Sequence, residues 1–276
     1  MSGGAWLLAD MGLILCAQSI VKHLGLEYSS GQLVFFRALT GLVVMLPWIL
    51  VSVDLFRRVD RLPLHLVRVA ASTIALTAGF YAIARLPLAL ITVVNFTRPI
   101  LTMVMAVVIL REMIGPRRWI AAAIAFAGVV VAVSPGSVAF SWALLALLCA
   151  AFFGTGAIII TRLLNDVPTV VMMTFYTAGL TLLVLPLALR SWTPVTLADM
   201  APLLAIGICA QVAQLCFLKA HRLASAGFLS VLSYLSLPLS ASVGYFVFGE
   251  VLSFEFLAGA ALIMASALWT VRRQLS

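Results

Sequence analysis

Arg98 places a full positive charge near the middle of residues 87–110, an apolar run long enough to cross a bilayer as a helix. At 100° per residue, Asn95, Arg98 and Thr102 fall within roughly 60° of one another, so one polar stripe runs down an otherwise apolar helix. A cation at that depth costs about 2.5–3.5 kcal/mol on insertion scales, and the stripe must therefore face protein or water instead of lipid. Pro99 removes a backbone donor beside it. Two readings follow. Either Arg98 caps carbonyls released by Pro99 and holds a kinked helix in its bundle, or it meets an anionic group of a ligand. The pattern of acids favours the second. All nine (Asp10, Glu27, Asp54, Asp60, Glu112, Asp166, Asp199, Glu250 and Glu255) lie at or near the ends of apolar runs, with Asp10 about a turn inside. No carboxylate stands at mid-depth to neutralise Arg98 or to hold an organic cation and exchange it for a proton. A carboxylate on a partly apolar body, as in an amino acid or related zwitterion, is the complement of such a site.

Other polar residues inside apolar runs are few. Thr73, Thr77 and Tyr81 recur at four-residue spacing, Gln211 and Gln214 at three, and Gln18, Ser233 and Tyr234 stand on other runs. Phe153 lies in the small-residue stretch FFGTG. Together they could line one central cavity. Each has an ordinary alternative: Ser and Thr bond their own helix carbonyls, and tyrosines pack or anchor at the interface. Buried Gln needs a partner, which makes Gln18, Gln211 and Gln214 the better candidates for a wet cavity. His23, His65 and His221 fall at the ends of runs and read as solvated or headgroup-facing. The four cysteines have no paired ligand spacing and read as small core residues. No buried His or acid partners a serine, so the pattern carries no catalytic constellation, no metal site and no cofactor.

These residues need membrane helices to hold them. With 64% hydrophobic and 9% charged residues, the chain reads as a polytopic membrane protein. Ten apolar runs are separated by charged or turn-rich breaks: 6–21, 33–53, 66–84, 87–110, 119–133, 138–161, 170–189, 201–218, 223–248 and 254–271. Ten spans leave no room for a soluble domain, and the first run, lacking a basic leader and a cleavage site, reads as a retained helix. With the N-terminus inside, the inner connections hold Arg57, Arg58, Arg61, Arg68, Arg111, Arg117, Arg118, Arg162, Lys219, Arg222, Arg272 and Arg273. The outer connections hold only Lys22, Arg85 and Arg190, a strong positive-inside bias that places both termini in the cytoplasm. The net charge of +8 is thus accounted for by topology and implies no nucleic acid.

Landmarks recur at near-constant spacing: Gly41 with Gly179, Pro47 with Pro186, Arg85 with Arg222, Ala89 with Ala226, Pro99 with Pro238 and Glu112 with Glu250. The scarcity of proline and glutamate makes this a duplication, with five-helix repeats at 1–138 and 139–276. Five is odd, so the second repeat enters from the opposite face, and the fold expected is all-α with two inverted repeats.

Ten helices in two halves, each with a proline inside its fourth helix and a glutamate at that helix's end (Pro99 with Glu112, Pro238 with Glu250), resemble the drug/metabolite transporter superfamily of EamA-type proteins. Arg37 in LVFFRALTG is similar to that family's pattern in helix 2; the second half has Phe175 and Tyr176 there instead. Within the superfamily the chain looks most like the YddG-type amino-acid exporters. That resemblance implies a ten-helix basket in the inner membrane, acting as a monomer on a small-molecule substrate by alternating access. Uptake or exchange of a nucleotide-like metabolite, S-adenosylmethionine, riboflavin or a drug is the alternative function.

Overall fold

The computed structural model describes residues 2–58, 61–111, 113, 115–133, 141–164, 166–224, 229, 232–233, 235–251 and 253–272. Its helices are α1 (Gly3–Leu24), α2 (Ser30–Val51), α3 (Leu62–Ile83), α4 (Leu88–Asn95), α5 (Arg98–Leu110), α6 (Pro116–Val133), α7 (Trp142–Leu163), α8 (Thr169–Arg190), α9 (Leu197–Leu223), α10 (Ser236–Phe248) and α11 (Phe254–Arg272). A short 3₁₀ turn, Val53–Arg58, follows α2, and no strand occurs among the described residues. Five helices start on the same device among the described residues: the hydroxyls of Ser2, Ser29, Ser141, Thr196 and Ser253 accept from the backbone N–H groups of Ala5, Gln32, Leu144, Asp199 and Phe256. Among the described residues seven stretches are long and apolar enough to cross a membrane, with Leu88–Ile109 counted through its break; Ala122–Ala132, Ser236–Phe248 and Phe254–Ser266 are shorter apolar helices. The chain is an all-α polytopic membrane protein.

The packing obeys an exchange of halves. α1 packs along α9 as α3 packs along α7, while α2 pairs with α8, α4 with α10 and α6 with α11. Each pair is either its own image or maps onto another pair when helices at equivalent places in the two halves are swapped, as a two-fold axis requires. The expected division at 138/139 lies outside the described residues.

Two stretches differ from the sequence expectation. The run 87–110 is two helices, not one kinked helix: α4 ends at Asn95, and α5 begins at Arg98 after the turn Phe96–Thr97. Pro99 has no backbone N–H to offer the carbonyl of Asn95, four residues earlier; the chain tightens there through Phe96 N–H to Val93 O at 3.0 Å and Thr97 N–H to Val94 O at 2.9 Å. α3 begins at Leu62 and so takes in His65, expected at a solvated end. His65 is instead fully buried, its ring 4.8 Å from that of Phe175, because α3 packs along α8 at this level.

The core runs through Leu24, Leu33, Leu88, Leu180, Leu203 and Ile206, while Val43, Leu50, Leu182 and Phe246 face outward. Such a surface suits lipid tails, and close contact between helices then depends on small residues. Gly207 on α9 is one. A Cβ there would lie 2.6 Å from Thr40 Cβ and 2.9 Å from the carbonyl of Arg37, so only glycine lets α9 press against α2 at this point. Gly207→Val is expected to lower stability by about 1–3 kcal/mol through overpacking. Its melting temperature in detergent checks this: a value equal to that of the wild type would contradict the close approach.

Candidate functional site

A cavity of about 310 Å³ lies among six of the spans. Ile14, Ala17, Gln18 and Val21 come from α1, Arg37 from α2, and Ala75, Leu76, Gly79, Phe80 and Ile83 from α3. Ile91, Asn95 and Arg98 flank the break between α4 and α5, and Leu147, Ala150, Ile206 and Ala210 close the wall from α7 and α9. No Asp or Glu appears among these lining residues. The site is thus two guanidiniums and two amides set in an apolar wall.

The break in the fourth span puts Arg98 at the first position of α5, where Pro99 also fits because an N–H there has no helical acceptor to lose. Its guanidinium lies against Gly154 of the FFGTG stretch: a Cβ at 154 would stand 3.3 Å from Nη2. The Nε of Arg98 is buried and has no hydrogen-bond partner among the described residues. Charge, unmet donor and the N-terminal end of a half-helix converge here, an arrangement that favours an anion. Asn95 lines the cavity on the other side of the break.

Arg37 reaches the same cavity from α2. Its Nη1 donates to the hydroxyl of Tyr176 at 3.3 Å, a neutral partner. Arg37 and Tyr176 occupy equivalent places in the two halves, so they meet where α2 crosses its own counterpart, α8. The Tyr176 ring also carries Arg68, whose guanidinium carbon is 5.4 Å from the centroid. Arg68 is occupied elsewhere, donating from Nε to Thr161 Oγ1 at 2.7 Å and from Nη1 to the Met172 carbonyl at 3.1 Å.

Next in sequence to Val21, Lys22 forms a part-buried ion pair with Glu250. Lys22 Nζ lies 2.6 Å from Glu250 Oε1, with the two side chains 14% and 10% exposed. Lys22 also donates to the Leu86 carbonyl at 2.7 Å, and Glu250 accepts from the backbone N–H of Leu88 at 3.0 Å. The pair therefore ties α1, the start of α4 and the end of α10.

Of the residues picked out from sequence, Gln18, Asn95 and Arg98 line the cavity. Thr102 is half-buried on α5 and lies outside it. Thr73 donates to the Val69 carbonyl of its own helix at 2.8 Å, and Thr77 has a buried hydroxyl without a partner among the described residues. Tyr81 packs under Arg85, 3.9 Å from ring centroid to guanidinium carbon, and Phe153 makes an edge contact with Phe152 at 5.5 Å. Gln211 packs against Gly41 of α2, and Gln214 is exposed. Ser233 sits in the helical residues 232–233, and Tyr234 lies outside the described residues. Among the polar lining residues Arg37 is the one that sequence reasoning does not assign to the site, and the apolar wall is not assigned either; the depth of Arg37 in the second run is the available signal.

The sequence profile of the EamA-like transporter family matches residues 13–134 and again residues 140–272. The chain belongs to the EamA-like transporter family. Relatives of similar sequence are named for different cargoes. An S-adenosylmethionine uptake transporter of Rickettsia prowazekii is 28% identical over 272 residues, covering 98% of this chain and 92% of that protein. A riboflavin transporter of Vibrio cholerae is 26% identical, covering 96% and 91%, and the pseudopaline exporter CntI of Pseudomonas aeruginosa is 28% identical, covering 91% and 89%. A solved crystal structure superposes with a TM-score of 0.69 at 20% identity, over 98% of this chain and 99% of the other, and shares the fold.

Proposed function

We propose that this EamA-like transporter is a secondary transporter of the bacterial inner membrane that exports amino acids, aromatic or other apolar ones included, or closely related metabolites. The observation that carries the reading is Arg98, charged, with a buried Nε that has no partner and a cavity wall that holds no acid among the described residues. The substrate's carboxylate supplies the missing anion, the side-chain carbonyls of Gln18 and Asn95 accept from its ammonium, and Leu76, Phe80, Ile83 and Ile91 take its side chain. The two repeats, 1–138 and 139–276, rock about this site to give alternating access, without enzymatic chemistry and within one monomer. Proteoliposomes loaded with radiolabelled L-phenylalanine test it: release above that of empty-vesicle controls is expected, competed by free amino acids and not by their amides. No competed flux of any amino acid would end the reading.

A second reading, uptake of S-adenosylmethionine, is supported by the named relatives from several Rickettsia species. S-adenosylmethionine also presents an amino-acid carboxylate to Arg98, but its sulfonium would meet no carboxylate on the cavity wall. Saturable S-adenosylmethionine flux faster than that of any amino acid would favour this reading.

The orientation proposed has both termini in the cytoplasm, on the positive-inside bias. In a variant lacking the native cysteines, a thiol placed at Leu55 should react only with permeant reagents and one at Ser191 with impermeant reagents added outside. The reverse pattern would invert the topology.

A further inference from the structure

We infer that Arg37 is a second anion-binding group of this cavity and that the preferred substrate carries two anionic groups, in the manner of a dicarboxylic amino acid. The inference rests on the reading of Arg98 as the carboxylate site and extends it. Both guanidiniums line one cavity of about 310 Å³, and no acidic side chain is among the residues that line it. A monocarboxylate neutralises one of them. The other is left in an apolar setting with a single side-chain partner among the described residues, the hydroxyl of Tyr176, which lends an oxygen and no charge. An unpaired cation in such surroundings is costly, and a second carboxylate on the ligand removes that cost.

The geometry leaves Arg37 free for this role. Among the described residues only its Nη1 is engaged, by Tyr176, and that bond steadies the guanidinium at the cavity wall while its remaining donors can form a fork to a carboxylate. Tyr176 is in turn held by its ring contact with Arg68, whose own donors are bound to Thr161 and Met172. Tyr176 is thus a positioning residue and Arg37 the one that touches the ligand. The hydrocarbon between the two carboxylates lies against the apolar wall, which explains why a cavity with two cations is otherwise so apolar.

The test is binding to the purified full-length protein, by thermal stabilisation and by titration, of L-aspartate, L-glutamate and L-2-aminoadipate. Each is compared with its side-chain amide, which keeps size and shape and deletes the second charge. For the dicarboxylate whose length fits best, wild type is expected to prefer the acid over its amide by about tenfold or more. Arg37→Gln should bring that ratio close to one while leaving the affinity for the amide, a monocarboxylate, within about threefold. Arg37→Lys should restore part of the preference. Tyr176→Phe, which retains the Arg37 charge, should weaken it without abolishing it; this second variant and the wild-type ratio keep the test decisive if Arg37→Gln does not fold. Wild type that binds the amides as tightly as the acids overturns this inference and leaves the carboxylate reading of Arg98 standing. Folded wild type that binds neither overturns both.

Discussion

Arg98→Gln is expected to fold, to insert and to lose about 10- to 100-fold of its transport rate at low substrate concentration. The size follows from the bond removed: a charge-assisted hydrogen bond contributes about 1.5–3 kcal/mol, and 1.4 kcal/mol is a factor of ten. Folding should survive because the charge costs the protein stability where it stands; its Nε is buried without a partner among the described residues, so Gln relieves a local penalty. Arg98→Lys keeps the charge but loses the planar fork, and should transport at an intermediate rate. Flux in proteoliposomes, normalised to reconstituted protein, measures it. If Arg98 served the helix instead, Arg98→Gln would lower the melting temperature and depress all substrates alike.

The second large effect is expected at Glu250. Replacing it by Gln takes the counter-charge from Lys22, a part-buried cation left with the Leu86 carbonyl, the Phe248 ring 5.3 Å away and a neutral amide oxygen in place of the carboxylate. Breaking a buried pair on one side costs about 3–5 kcal/mol, so a large fall in melting temperature should follow. Lys22→Met with Glu250→Met removes both charges and should recover much of the loss, since two apolar residues avoid the desolvation penalty. The charge swap, Lys22→Glu with Glu250→Lys, should recover less than the double Met variant. The pair is directional: Glu250 accepts from the Leu88 N–H and Lys22 donates to the Leu86 carbonyl, and exchange sets like against like at both. Equal stability of the swap and the wild type would show that the charges alone matter.

Much of this fold is legible in the sequence because a bilayer leaves few options. Every apolar run expected to span has described helical residues in the structure, since only helices satisfy their own backbone in lipid. The pairing of halves is legible in the spacing of scarce residues such as Pro99 with Pro238. What sequence does not supply is the direction of each side chain around its helix. The four-residue spacing of Thr73, Thr77 and Tyr81 puts them on one face, where Thr73 bonds a carbonyl of its own helix and Tyr81 packs under Arg85, while Ala75, Leu76, Gly79, Phe80 and Ile83 turn to the cavity. Arg98 and Asn95 are legible because a charge and a proline on adjacent residues override periodicity. Arg37 is not legible as a lining residue because a charge within a span states its depth and not its neighbour; only the packing of α2 against α8 reveals Tyr176 as its partner. His65 shows the same limit from the other side, a histidine near a helix end that packing buries completely.

The central claim is that Arg98 binds the carboxylate of the substrate. The most direct measurement is a titration cycle of four affinities: wild type and Arg98→Gln, each with an amino acid and its α-carboxamide. The account predicts that wild type prefers the acid by about tenfold or more and that Arg98→Gln loses that preference while binding the amide nearly as before. A folded Arg98→Gln protein that keeps the full wild-type preference for the acid would contradict it.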